Sequence, residues 1–207
     1  IYSLLLVVAA LFAGCESRLD IAKHGNMGGQ DDFYQTDEQT EQAVASMYSS
    51  LKGLYYNWFY TKNLLSDDVW CGGGQRGDNT SMEQLNEYTY GTDNGMIQGV
   101  FSSLYGLIYQ SNLVIEKVAA DTPVKKRAIA EAKFFRAWAN FELVTLWGTA
   151  PLVDHLLEPG EYRQGNSTPE ALWAAVESDL NDAISMNALP SKKNKDDQET
   201  GMRVTQE

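Results

Sequence analysis

The sequence predicts an all-α protein built from antiparallel helix pairs of the tetratricopeptide kind. Apolar residues recur at steps of three and four over long segments, and helix start and stop residues delimit those segments. Strands that alternate apolar and polar residues are scarce. Small residues on the apolar stripes, such as Ala130 and Ala137, would let neighbouring helices approach closely. The consensus residues of a helical repeat do not recur at a fixed period.

The first helix is predicted over residues 37–55. Thr36 and Gln39 have the spacing of a capping box, in which each side chain satisfies a backbone N–H of the other residue. The apolar stripe of this helix is Val44, Met47, Tyr48, Leu51 and Tyr55. A shorter helix over residues 57–66 is expected to turn back on the first one.

Two long helices are predicted next. The first has an apolar stripe at helical spacing, formed by Ile97, Phe101, Leu104, Ile108, Ser111, Ile115 and Val118. Asp121-Thr122-Pro123 ends it, and a second helix covers residues 125–147 until Gly148 and Pro151 stop it. Its stripe is Ala130, Phe134, Ala137, Phe141 and Val144.

The last predicted helix begins at Ser167-Thr168-Pro169-Glu170, where a hydroxyl cap precedes a proline in the first turn. Its buried face is predicted from Leu172, Val176, Leu180, Ala183 and Ile184. On the preceding helix, Trp138, Phe141 and Trp147 are interpreted as core residues, and Arg136 as a structural residue that is either paired or snorkels to the surface.

Composition excludes several classes of function. The 207 residues include 28 acidic and 16 basic ones, which gives a formal net charge of −12 without a basic stripe for nucleic acid. The hydrophobic content of 43% is that of a globular protein rather than a disordered one. Two cysteines allow at most one disulfide, and His24 and His155 lie far apart in sequence. We therefore expect no metal site and no cofactor.

The N-terminus resembles that of a bacterial lipoprotein. Residues 1–14 form an apolar run that is too short for a permanent membrane span and is interpreted as an incomplete signal peptide. Leu11-Phe12-Ala13-Gly14-Cys15 resembles a lipobox, which makes Cys15 the predicted lipid attachment site. The alternative is a signal peptide cleaved elsewhere, with no special role for Cys15. Residues 15–33 are interpreted as a flexible tether, and residues 34–207 as a helical domain that continues beyond the sequence.

The segment from Ser66 to Gly95 is the predicted binding site, because long irregular segments are uncommon unless they carry function or are disordered. It combines aromatic rings with amides, carboxylates and Arg76. Sugars present an apolar C–H face to an aromatic ring and hydroxyl groups to polar side chains. This composition therefore favours carbohydrate binding without naming a ligand.

Other patterns in the same segment are discounted. Gly72, Gly74 and Gly77 spell a dinucleotide-binding fingerprint, but no apolar strand precedes them. The adjacent Asp67-Asp68 pair is expected to be a solvated turn, because two catalytic carboxylates of a glycosidase flank a bond from opposite sides. Cys71 is expected to be a partly buried small hydrophobic residue.

Taken together, these residues resemble the N-terminal part of the SusD/RagB family of outer-membrane glycan-binding lipoproteins of Bacteroidetes. The likeness rests on the lipobox, the helix opening at Thr36, Ser66-Asp67-Asp68, residues 130–153 and the closing Gly201-Met202-Arg203-Val204-Thr205. The stretch AEAKFFRAWANFELVTLWGTAPLV, residues 130–153, is the most specific part of it.

The resemblance implies a non-enzymatic protein that is lipid-anchored in the outer membrane and faces the cell exterior. It would capture oligosaccharides and pass them to a TonB-dependent transporter of the SusC type. In such proteins the loop after the second helix contributes sugar contacts, which makes Trp70, Arg76, Asp78 and Asn79 the candidates here.

Two other functions stay open on the residues alone. A lipid-anchored helical-repeat scaffold could bind a protein partner without sugar, and a surface glycoside hydrolase would need Asp67 as a catalytic group. The acidic net charge makes neutral glycans more natural ligands than anionic ones. The sequence does not identify the glycan.

Overall fold

The computed structural model describes residues 33–192 and 202–206, and it confirms the all-α class. The predicted signal peptide, the lipid attachment at Cys15 and most of the predicted tether lie outside these residues. The described residues form five named α-helices, α1 (Asp37–Leu64), α2 (Thr80–Asn86), α3 (Gly95–Lys117), α4 (Pro123–Trp147) and α5 (Pro169–Ser185), and a short 3-10 helix, Pro159–Glu161. Across the described residues there is no strand, only an isolated antiparallel bridge between Ala150 and Ser167.

The capping box that begins α1 is confirmed. Thr36 Oγ1 accepts the Gln39 N–H at 3.2 Å, and Gln39 Oε1 accepts the Thr36 N–H at 3.0 Å. The predicted turn between residues 55 and 57 is wrong, because α1 continues as one helix of 28 residues to Leu64. Trp58, just after the expected turn, donates from Nε1 to Glu142 on α4 at 2.8 Å. Contacts with α4 thus hold the second half of α1 in line with the first half.

The other long helices form where the sequence predicts them. Asn94, Thr122 and Thr168 cap the N-termini of α3, α4 and α5, each by a side-chain oxygen that accepts a backbone N–H. Gly148 ends α4 with a φ of +74°, a left-handed conformation that a glycine adopts without steric strain. These signals are local in sequence, which is why they are readable without the tertiary structure.

The predicted buried face of α5 needs one correction. Leu172, Val176 and Ala183 are buried as expected and Leu180 is half-buried, but Ile184 is 50% exposed. The fourth buried position is Asp179 rather than an apolar residue. Ile184 follows Ala183, and a step of one residue rotates the side chain by about 100° around the helix axis. Ile184 therefore lies off the buried face.

Helix α4 is the centre of the fold, since α1, α3 and α5 all pack against it. The core between these helices is aliphatic and aromatic, with fully buried Leu104, Ile108, Phe135 and Leu143. Several polar residues of α4 are also buried, including Arg136, Glu131 and Glu142. None of the helices in the described part of the chain has both the length and the apolar character to cross a bilayer.

The segment 202–206 is hydrogen-bonded to side chains of α1 and α4. Arg203 donates to Glu131 at 3.1 Å and to Glu41 at 3.1 Å. Glu131 is fully buried, and burial raises the pKa of its carboxyl above the ordinary value although Arg203 and Arg127 oppose that shift. The Val204 N–H donates to Tyr48 Oη at 2.8 Å, and burial together with the Glu131 charge raises the pKa of Tyr48 to about 12.

Candidate functional site

The candidate site is the segment between the end of α1 and the start of α3, which a small hydrophobic cluster anchors to the helices. The cluster joins Leu64 of α1, Met82 and Leu85 of α2, and Met96 of α3. Cys71 packs against it and is partly buried, as the sequence predicts. Burial and then the charges of two nearby glutamates raise the pKa of its thiol, which therefore stays protonated at neutral pH.

Side-chain carboxylates of Asp78 and Glu83 accept hydrogen bonds from the backbone of the glycine-rich turn, residues 72–77. Asp78 Oδ2 accepts the N–H groups of Gly74 at 2.6 Å and Gln75 at 3.0 Å. Glu83 Oε1 accepts the Gly77 N–H at 2.7 Å. The N–H groups that a phosphate cradle would need are thus already bonded to carboxylates. This arrangement agrees with the interpretation that the glycine pattern is not a dinucleotide fingerprint.

Further hydrogen bonds fasten the two ends of the segment to each other. The Cys71 N–H donates to Asn86 Oδ1 at 2.9 Å, and Tyr88 Oη donates to the Leu65 carbonyl at 2.8 Å. Tyr88 has a φ of +55°, an uncommon conformation for a residue with a side chain. Asn79 caps α2 by accepting the Met82 N–H at 3.2 Å.

Trp70 separates two clefts in this segment. One cleft has a volume of about 240 Å³ and is polar, with Gln75, Arg76 and Glu87 among its lining residues. The other has a volume of about 150 Å³ and is mainly apolar, with Phe59 and Tyr60 of α1 in its wall. Trp70 lines both clefts and is 79% exposed, so its indole ring is available to a ligand from either side.

In the polar cleft, the Arg76 guanidinium is paired with a carboxylate and is not a free cation. Arg76 and Glu87 pair through Nη1 and Nη2, the two terminal nitrogens of the guanidinium group, with Nη2 at 3.0 Å from Oε2. The hydrogen bonds from Arg76 hold the pKa of the Glu87 carboxyl below its ordinary value, and the same bonds raise the pKa of Arg76. The pair is nearly neutral as a unit and still offers donors and acceptors. Such a group can bind hydroxyls without favouring an anion.

The four sequence-predicted contact residues do not all meet. Trp70 and Arg76 line the same cleft, whereas Asp78 and Asn79 use their side-chain oxygens to shape the turn and cap α2. Asp67 and Asp68 are exposed, and the Asp68 N–H donates to Ser66 Oγ at 3.3 Å, as in the predicted turn.

Sequence reasoning missed other residues of the two clefts. Phe59 and Tyr60 belong to a run of aromatic residues on α1, but this run was split by the turn predicted before residue 57. Glu87 comes from just after α2, and its ion pair with Arg76 depends on how the segment folds back. An exposed aromatic run next to an irregular segment is the one signal that could have indicated the apolar cleft.

A larger groove lies between the N-terminal half of α3 and the end of α4. It has a volume of about 680 Å³, and its aromatic walls are Tyr90, Phe101 and Trp147. The prediction that Trp147 belongs to the core is therefore only partly right, since this half-buried ring also lines the groove. Trp147 is the last residue of α4, so no further turn of this helix follows it.

The other two aromatic residues interpreted as core are also half-buried. Trp138 packs near Trp58 of α1, with ring centroids 6.3 Å apart, and Phe141 packs edge-on against Trp173 of α5 at 5.6 Å. Both rings therefore pack between helices, as predicted for core residues.

The chain is similar to known proteins over nearly all of its described length. A family model named SusD-like_3, with the description "starch-binding associating with outer membrane", matches residues 25–206. A SusD-like protein of Bacteroides ovatus is 32% identical over 166 residues, which are 73% of this chain and 29% of the relative. SusD-like protein P25 of Formosa agariphila is 28% identical over 166 residues, which are 72% of this chain and 30% of the relative.

Two solved structures have the same fold. A laminarin-binding SusD-like protein superposes with a TM-score of 0.72 at 26% identity, over 84% of this chain and 38% of that one. Surface glycan-binding protein A from Bacteroides uniformis superposes with a TM-score of 0.70 at 25% identity, over 83% of this chain and 39% of that one. The matched part of this chain thus spans about a third of each relative's length.

Proposed function

The chain belongs to the SusD-like family, and from this we propose that the whole protein captures oligosaccharides at the cell surface without transforming them. The observation that carries the proposal is Trp70, whose 79% exposed indole stands between two clefts. An exposed aromatic ring packs against the C–H face of a sugar, while nearby polar groups exchange hydrogen bonds with its hydroxyls.

The polar cleft supplies those hydrogen-bonding groups. The Arg76–Glu87 pair has both donors and acceptors, and Gln75 adds an amide. We assign Trp70 and Arg76 to direct contact with the sugar. Asp78 and Asn79 act by fixing the turn that carries Arg76 and the start of α2.

We propose no catalytic step at this cleft, because its carboxylates are engaged in structural bonds. Glu83 accepts the Gly77 N–H, and Glu87 is held by Arg76 with a lowered pKa, which is unsuited to a general acid. The pair Asp67-Asp68, considered for a hydrolase, lies in an exposed turn.

The finer parts of the proposal concern the whole protein in the cell. We propose that it is anchored to the outer membrane through a lipid on Cys15, faces the exterior, and passes its ligand to a TonB-dependent transporter of the SusC type. The family description, which names association with the outer membrane, supports the location, and the names of the two solved relatives, a laminarin-binding protein and a surface glycan-binding protein, support the class of ligand.

Calorimetric titration of the full-length protein with oligosaccharides tests the binding function. The panel consists of laminarihexaose, maltohexaose, cellohexaose and hexagalacturonate. We expect one or more of the neutral sugars to bind, and Trp70→Ala to weaken that binding about tenfold through loss of the stacking ring. Tyr162→Ala is the matched control, because Tyr162 is 67% exposed and lies on the loop between α4 and α5.

Two results would contradict the proposal. Binding of none of the sugars, together with normal growth on glycans after gene deletion, would favour a scaffold that binds only a protein partner. Release of reducing sugar by the purified protein would identify an enzyme instead.

A further inference from the structure

The groove between α3 and α4 has a composition unlike that of the clefts around Trp70. Its aromatic walls, Tyr90, Phe101 and Trp147, are accompanied by Thr92, Gln98 and Ser102. Within the described part of the chain, no charged side chain lines it. This is notable in a protein with a net charge of −12, whose polar cleft is lined by Arg76, Glu83 and Glu87.

We propose that this groove is a second carbohydrate subsite, and that it accepts uncharged sugar units only. The inference rests on the proposed glycan-binding function and adds a site and a ligand class to it. The groove volume of about 680 Å³ lies within the range of about 300–1,000 Å³ that is usual for small-molecule sites.

Two of the three aromatic walls, Phe101 and Trp147, are held in place before any ligand binds. The rings of Phe101 and Trp147 meet edge to face with centroids 5.3 Å apart, and Phe101 also contacts Tyr105 at 4.8 Å. Tyr105 Oη in turn donates to the Pro151 carbonyl at 2.6 Å, beyond the end of α4. A sugar would therefore meet a fixed surface, which reduces the ordering cost of binding.

Polar groups at the rim complement sugar hydroxyls. Gln98 Nε2 donates to the Thr92 carbonyl at 3.1 Å, and this bond orients the amide along the edge of the groove. Ser102 lies one helical turn further along α3 and is exposed. Aromatic faces flanked by oriented amides and hydroxyls suit a ligand with apolar C–H faces and many hydroxyls.

Charge decides between neutral and anionic sugars. An anionic sugar that enters the groove would lose hydration without gaining a cation among the lining side chains. A neutral sugar would only exchange hydrogen bonds with water for bonds with the rim. The groove thus favours neutral glycans over uronic acids or sulfated sugars.

The test uses the full-length protein and the same four hexasaccharides. Tyr90→Ala removes one aromatic wall, and Ser102→Glu places a charge in the groove. Both residues are exposed, and the thermal midpoint of each variant verifies its folding. The controls are Tyr162→Ala for the lost ring and Ser178→Glu for the added charge, because Ser178 is exposed on α5 away from the groove.

We expect each groove variant to bind the neutral hexasaccharide about five- to tenfold more weakly, with the control variants within about twofold of wild type. Unchanged affinity in both groove variants, combined with weakening by Trp70→Ala, would overturn the groove subsite and leave the proposed function intact. Weakening by the groove variants but not by Trp70→Ala would support the subsite and remove Trp70 from the contacts.

Two further outcomes would also overturn the inference. Hexagalacturonate binding that weakens in Tyr90→Ala as much as neutral sugar binding does would contradict the restriction to uncharged units. Unchanged sugar affinity with loss of a protein partner from the purified complex would assign the groove to an apolar protein segment.

Discussion

Arg136 of α4 and Asp179 of α5 form a buried, two-pronged ion pair in which both nitrogen–oxygen distances are 2.7 Å. The same guanidinium donates to Asn112 of α3 at 2.8 Å and to the Asp154 carbonyl at 2.6 Å. One side chain therefore joins three helices and the loop after α4. The sequence interpretation of Arg136 as a paired structural residue is confirmed, and the structure adds the identity of its partners.

Replacing Arg136 by methionine is expected to lower the free energy of unfolding by about 3 kcal/mol, because the buried Asp179 carboxylate then keeps only the longer contact with Lys133, whose Nζ lies 3.7 Å from Oδ1. Urea unfolding followed by circular dichroism measures the change. The double variant Arg136→Met/Asp179→Leu should recover at least about 1 kcal/mol, since it removes the stranded charge. A double variant as unstable as the sum of both single ones would contradict this account, and Arg163→Met serves as the exposed control.

His155 should give the protein a local pH dependence. Its Nδ1 lies 2.8 Å from Asp154 Oδ1 and its Nε2 lies 3.2 Å from Glu161 Oε2, and hydrogen bonds to these carboxylates raise its pKa above 6.5. A raised histidine pKa contributes stability fully below the unfolded pKa, and this contribution is lost as pH rises through the folded pKa.

The carboxyl groups of Asp154 and Glu161 set the lower limit of the pH range in which this cluster stabilises the protein. The hydrogen bond from His155 lowers the pKa of Asp154 below 3.8, and the Glu158 N–H followed by His155 lowers that of Glu161 below 4.5. Their contribution is lost as pH falls through these lowered values. We therefore expect the thermal midpoint of wild type to exceed that of His155→Gln most between about pH 4.5 and 6.5. A difference between the two thermal midpoints that stays constant up to pH 9 would contradict a stabilising role of the charged His155.

The close approach of α1 and α3 predicts different effects of alanine substitution at two glycines of α3. A Cβ at Gly99 would collide with the side chain of Asn57 on α1, whereas a Cβ at Gly106 would meet nothing within 4 Å. Gly106→Ala should stabilise the protein by about 0.5–1 kcal/mol through reduced freedom of the unfolded chain. Gly99→Ala should give a lower thermal midpoint than Gly106→Ala, and equal gains would contradict the contact.

Two variants of Asn79 distinguish a structural role of this residue from a direct contact with the ligand. Asn79→Ala should destabilise α2 by about 1 kcal/mol through loss of the cap, whereas Asn79→Asp keeps an acceptor for the Met82 N–H. Hydrogen exchange at the Met82 amide measures the cap. We expect Asn79→Asp to retain sugar affinity. A tenfold loss of affinity with an intact cap would instead place the Asn79 amide on the sugar, as the sequence resemblance implies.

The helices with local start and stop chemistry could be predicted from the sequence, and the long-range features could not. Thr36, Thr122 and Thr168 cap helices through neighbours three residues away, so their signals need no tertiary structure. The continuation of α1 through Trp58 depends on a bond to Glu142, which lies 84 residues later. No local pattern carries that information.

The candidate site shows the same division. The sequence located the irregular segment and singled out Trp70 and Arg76, and the structure brings these two into one cleft. The sequence did not indicate that Glu87 would neutralise the charge of Arg76. It also did not indicate that Trp147 and Tyr90 would line the same groove. Tyr90 and Trp147 are 57 positions apart, so only helix packing brings them together.

By itself, the sequence determined the all-α class, the caps of the long helices and the place of the long irregular segment, because backbone hydrogen bonding and helix capping act over a few residues. The tertiary structure alone decided which faces are covered. Asp179 is buried because Arg136 of α4 lies opposite the α5 face on which it stands, whereas Ile184 lies off the buried face and is exposed. Burial depends on what packs against a helix, and that is a property of the whole fold.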